Sequence, residues 1–91
     1  MPEPIFRTVT IVNRLGLHAR AAAKFVKTAG QFGSQIIVSR KGQEVSVVSI
    51  MGLMMLAASP GTQIEIRTLG DDADIAMAAL VDLVERKFDE D

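Results

Sequence analysis

A chain of 91 residues has room for one domain with a modest core and too little volume for an enclosed pocket of the usual enzyme kind, so any chemistry belongs on its surface. It contains no cysteine, which excludes a disulfide framework, a thiolate zinc site and a cysteine nucleophile, and with 48% apolar residues it must be held together by packing. The formal charge of −1 hides an asymmetry: from Thr8 to Gln43 the charged residues are Arg14, Arg20, Lys24, Lys27, Arg40 and Lys41, whereas from Glu44 onward acids outnumber bases.

Residues Ile5 to Val12 are rich in β-branched types and alternate Thr8 and Thr10 against Val9 and Ile11, which predicts a half-buried first strand. A helix is expected over Ala19 to Ala29, where Ala22, Phe25, Val26 and Ala29 recur at helical spacing beside a basic ridge of Arg20, Lys24 and Lys27, with Gly30 as its stop. Gln35 to Arg40 and Glu44 to Val48 read as two strands of a hairpin reversed at Lys41-Gly42. Ser49 is a good N-cap for a short apolar helix over Ile50 to Ala57, ended by Pro60 and Gly61. Gln63 to Leu69 alternates cleanly and is the best-marked strand. The last helix begins among Asp71, Asp72 and Asp74, ends near Arg86 and Lys87, and buries Ala76, Leu80, Leu83 and Val84. This order predicts an α+β fold, a two-layer sandwich with helices on one face of an antiparallel sheet, and residues 1–91 form a single domain. The longest charge-free apolar stretch, Val45 to Ile64, is broken by serines, glycines and Pro60, so no membrane span is expected, and without an export signal the expected location is the cytoplasm.

The informative segment is Asn13-Arg14-Leu15-Gly16-Leu17-His18-Ala19-Arg20, which leaves the first strand and enters the first helix. His18, the only histidine, stands at the helix mouth, where unpaired N–H groups and the positive end of the dipole favour an anion. The Arg20 guanidinium can reach phosphoryl oxygens there, and Gly16 lets the preceding turn bend. A neutral imidazole nitrogen is a nucleophile near neutral pH, and phosphoryl transfer asks mainly for positioning and stabilisation of spread charge. Taken alone, a histidine at a helix start is more often a cap or a plain surface residue, just as Ser49 is explained by capping alone.

Gly16-Leu17-His18-Ala19-Arg20 and Ser49-Ile50-Met51-Gly52-Leu53-Met54 together resemble the two signature regions of the HPr family, the histidine-containing phosphocarriers of the bacterial phosphotransferase system. That resemblance implies a four-stranded antiparallel sheet ordered 1-4-2-3 with three helices on one face. It further implies a relay in which enzyme I delivers a phosphoryl group from phosphoenolpyruvate to Nδ1 of His18, beside Arg20, and an enzyme IIA component receives it. Ser49 matches the site used by the HPr kinase/phosphorylase, where phosphoserine would reduce transfer from enzyme I. Ile50, Met51 and Met54 match the docking surface, with Lys24 and Lys27 facing acidic partner residues. Ala21 departs from the family's usual proline, which implies altered rates with activity retained. The ending Phe88-Asp89-Glu90-Asp91 resembles the nitrogen-related, NPr-like branch, whereas the Ser49 region looks like the branch of carbon metabolism; the balance leans to the former. No cofactor or metal is implied, and a monomer is expected. Two rivals stand beside this reading: a protein-binding regulator acting mainly through Ser49, and a nucleic-acid-binding domain, which the absence of Trp and Tyr and the acidic total charge disfavour.

Overall fold

The computed structural model describes residues 3–47 and 49–90. Its elements follow in the order β1 (Ile5–Thr10), α1 (Ala19–Ala29), β2 (Gln35–Arg40), β3 (Gln43–Ser46), α2 (Ile50–Met54), β4 (Gln63–Leu69) and α3 (Ala73–Glu85), with a further tight turn at Lys87–Asp89. The four strands form one antiparallel sheet ordered β1-β4-β2-β3, with β4 paired on both sides. The fold class, strand order and element types agree with the expectations from the sequence.

Alternation decides which face is covered. Val9, Ile11, Ile36, Val38, Ile64 and Ile66 point into the core, where they meet Ala22, Phe25 and Ala29 of α1 and Ala76, Met77, Leu80, Leu83 and Val84 of α3. Burying each large apolar side chain contributes about 1.5–3 kcal/mol, so this layer carries most of the stability. On the opposite face Phe6 and Arg67 are register partners, and the guanidinium lies 6.0 Å from the ring centroid, which shields an exposed aromatic by a cation–π contact.

Element boundaries differ from expectation at three places, each for a local reason. The first strand ends at Thr10, although Ile11 N–H still donates to Thr62 O at 2.9 Å and so extends the pairing without regular ladder geometry. The third strand spans Gln43–Ser46, one residue earlier than expected at its start, because Lys41 and Gly42 both take positive φ and make a two-residue reversal; Val48 lies outside the described residues. Helix α1 keeps its expected bounds and stops at Gly30, which closes it in the right-handed conformation, φ −67°. Helix α2 stops at Met54 and not at Ala57: Leu56 and Ala57 donate to Leu53 and Met54 in tightened i→i−3 bonds, and Ala57 turns to φ 52°. That reversal delivers Ala58, whose carbonyl accepts Leu17 N–H at 2.9 Å.

Candidate functional site

The turn before His18 is built on Asn13 and Gly16. Gly16 N–H donates to Asn13 O at 3.2 Å, and the Asn13 side chain donates from Nδ2 to Gly16 O at 2.7 Å, closing the loop on itself. Asn13 is fully buried, an uncommon place for an amide, and it secures the chain where it leaves the sheet. His18 then takes extended backbone, φ −77° and ψ 178°, as N-cap of α1, and its side chain caps nothing. Ala22 N–H makes the first intrahelical bond, to His18 O at 2.8 Å, which leaves the amides of Ala19, Arg20 and Ala21 without intrahelical acceptors at the ring's own helix end. Ala21, at the position of the family proline, is buried and keeps the N–H that proline would lack.

The imidazole is partly exposed, and its Nε2 lies 2.9 Å and 3.0 Å from the two carboxylate oxygens of Glu90. Asn13 Nδ2 also donates to Glu90 Oε1, at 2.9 Å. Hydrogen bonds from Asn13 first and His18 next, with the Arg20 charge nearby, hold the Glu90 carboxyl below the usual carboxylate range. Among the described residues Nδ1 of His18 makes no hydrogen bond, so it is the ring's open nitrogen. Arg14, Leu15, Arg20 and Glu90 line an open depression of about 300 Å³ at this end of α1. The larger depression, about 490 Å³, lies between β1 and α3 and is lined by Val9, Met77 and Val81, with none of the candidate site residues in its wall.

Sequence reasoning placed His18 and Arg20 at the same helix mouth, and they are there. It gave no site role to Asn13, Leu15 or Glu90. Asn13 and Glu90 stand 77 positions apart and share no local pattern, so only the closed fold reveals the pair. Lys24 makes contacts the sequence did not signal: its ammonium donates to Phe88 O at 2.7 Å and lies 3.9 Å from Asp89, so it secures the Lys87–Asp89 turn. Lys27 is exposed. On α2, Ser49 accepts Gly52 N–H on Oγ at 3.2 Å, the N-cap bond expected of it. Ile50, Met51 and Met54 are exposed, and so are Met55 and Leu15, which together leave an apolar surface on the α1–α2 side. No group of three or more metal-ligating side chains occurs among the described residues, and no helix there is long and apolar enough to cross a membrane.

An antiparallel open sandwich with one unpaired imidazole nitrogen beside an open depression at a helix mouth is the architecture of a surface carrier of an anionic group. The comparisons give that class its family. The family model described as the PTS HPr component phosphorylation site matches residues 5–86. The phosphocarrier protein HPr of Xylella fastidiosa is 53% identical over 83 residues, which is 91% of this chain and 93% of that protein. The phosphocarrier protein NPr of Shewanella violacea is 44% identical over 84 residues, covering 92% of each. The crystal structure of HPr-C-His from Thermoanaerobacter tengcongensis matches with a TM-score of 0.91 at 47% identity, covering 96% of this chain and 98% of that one. The chain belongs to the HPr family and is a phosphocarrier of the phosphotransferase system.

Proposed function

We propose that His18 is the residue that carries the phosphoryl group, accepting it from enzyme I on Nδ1 and passing it to an enzyme IIA component. One observation carries this reading: at the α1 mouth Glu90 occupies Nε2 while Nδ1 is bare, beside Arg20 and three amides without intrahelical acceptors. A phosphoryl group on Nδ1 would meet donors already in place, so little reorganisation is needed as charge spreads over its oxygens. The exposed Ile50, Met51 and Met54, with Arg20 and Lys27 alongside, supply an apolar and cationic docking face for both partners. Incubation with phosphoenolpyruvate and enzyme I should label the parent with acid-labile phosphate and leave His18→Ala unlabelled; equal labelling of the two would refute the assignment.

A regulatory role for Ser49 has its own support, because its hydroxyl is on an exposed residue beside the docking face and caps α2. An HPr kinase/phosphorylase that modified it would set a doubly charged group among apolar docking residues, which penalises association with enzyme I. A monomer in the cytoplasm fits this role.

A further inference from the structure

We propose that Glu90 is a positioning residue for the phosphoryl-accepting ring: its carboxylate takes the Nε2–H of His18, leaves Nδ1 as the nucleophile, and balances the positive charge acquired when phosphorus bonds to Nδ1. The inference rests on His18 being the acceptor. An ionised carboxylate only accepts hydrogen bonds, so a ring nitrogen 2.9 Å and 3.0 Å from its two oxygens must be the donor. The neutral ring then has its proton on Nε2 and its lone pair on Nδ1. Such an outer partner fixes the orientation and basicity of a histidine in the way seen where histidines bind metals.

The carboxylate is held from both sides. Buried Asn13 donates to Oε1, and its own position is set by the bond to Gly16 O. From the other side the chain reaches Glu90 through Lys87, Phe88 and Asp89, all at positive φ (60°, 55° and 62°), a conformation costly for residues with a Cβ. Phe88 is fully buried and its carbonyl accepts from Lys24, so packing holds that left-handed turn and with it the reach of Glu90 to the ring. The charged groups around the pair are Arg14 in the preceding loop, Arg20 and Lys24 on α1, and Asp89 in the turn. The cations among them oppose a positive ring, and Glu90 is the carboxylate in hydrogen-bond contact with it.

In the transfer step the Nδ1 lone pair forms the N–P bond, and the bond from phosphorus to the donor's atom breaks with its electron pair leaving on the donor. Nε2 keeps its proton throughout, so the ring becomes cationic opposite Glu90. Onward transfer reverses this: the N–P bond breaks, its electron pair returns to Nδ1, and the ring is neutral again.

With a single histidine in the chain, phosphorus NMR of the phosphorylated protein reports one phosphohistidine. Glu90→Ala should lower kcat for transfer from enzyme I about tenfold with KM unchanged, and the ring proton of its unphosphorylated His18 should move from Nε2 toward Nδ1 in nitrogen NMR. Glu90→Gln, which keeps an acceptor without the charge, should fall between. A merely structural staple would move thermal stability and leave both readouts alone; parental kcat and parental tautomer populations in Glu90→Ala overturn the proposal. Should the parent itself take no phosphate on His18, the acceptor assignment fails separately. Nitrogen NMR of the unphosphorylated ring then decides the clamp: a shift of the proton from Nε2 toward Nδ1 in Glu90→Ala supports it, and unchanged tautomer populations reject it.

Discussion

Gly16 stands at φ +69°, and a Cβ there would lie 2.7 Å from the carbonyl oxygen of Ala58 and 3.1 Å from Ser59 Cα. Both obstacles are backbone, so neither yields by a rotamer change. Gly16→Ala therefore combines an unfavourable left-handed residue with overpacking and should cost about 3 kcal/mol, read as a lowered midpoint in urea unfolding with the slope unchanged. Because the same turn delivers His18, the variant should also transfer phosphate more slowly even at temperatures where it is fully folded. Arg20 is a different case, since it is exposed and supports no packing. Arg20→Lys keeps the charge and loses the planar fork, so stability should stay within about 0.5 kcal/mol of the parent while kcat/KM for transfer falls roughly tenfold, the scale of one lost charge-assisted hydrogen bond. Transfer assays on the two variants separate a residue that shapes the turn from one proposed to contact the phosphoryl group.

Among elements, the connection between the α1–β2 loop and the start of α3 depends on Asp72. Its carboxylate accepts from Ser34 Oγ and from Gly33 N–H at 2.8 Å, and the Ser34 bond first and the Gly33 bond second hold its pKa below the ordinary carboxylate value. Gly70 permits the close approach, since a Cβ there would lie 2.9 Å from Ser34 Cα. A depressed carboxyl contributes stability that is present above its unfolded pKa and is lost as pH falls through the folded one. Acid unfolding of Ser34→Ala should thus show a shallower loss of stability below the ordinary carboxylate range than the parent, with the two curves parallel at neutral pH. Similar logic was legible in the sequence only in part. The strands announced themselves because Val9 and Ile11, then Ile64 and Ile66, alternate against polar neighbours, and α1 did so because its apolar residues return at helical spacing. In the sequence Asp72 is one of three acids that match the dipole at the start of the last helix; in the fold it is the N-cap residue of α3, yet its side chain caps nothing and tethers Ser34, a partner 38 positions away. Likewise the Lys87–Asp89 turn has no glycine or asparagine to signal positive φ, so the burial of Phe88, which forces it, could be read only from the closed fold.

At the scale of the whole molecule, the uneven charge seen in the sequence acquires a direction. Arg14 and Arg20 border the depression at the His18 end, and Lys27 continues the ridge along α1, whereas Asp74, Asp82 and Glu85 lie along α3. Lys24 is drawn to Phe88 O and Asp89, which weakens its share of the outward field, and Arg86 is similarly engaged by Asp82 and Asp89. Arg14, Arg20 and Lys27 are thus left outward along the His18 end of α1, and if that end carries the phosphoryl group as proposed, an acidic partner would be guided to it. Such guidance acts over a Debye length, about 10 Å at 0.1 M salt and about 3 Å at 1 M. Raising ionic strength across that range should lower kcat/KM for transfer from enzyme I by about tenfold, mainly through slower encounter, with kcat nearly constant once the complex is saturated. Lys27→Glu should reproduce much of that loss at low salt and show a flatter salt dependence, because the charge that salt would screen has already been removed. A kcat/KM that ignores salt in the parent, or a Lys27→Glu variant with the parent's full salt slope, would show that the apolar face of Ile50, Met51 and Met54 sets the encounter without electrostatic help.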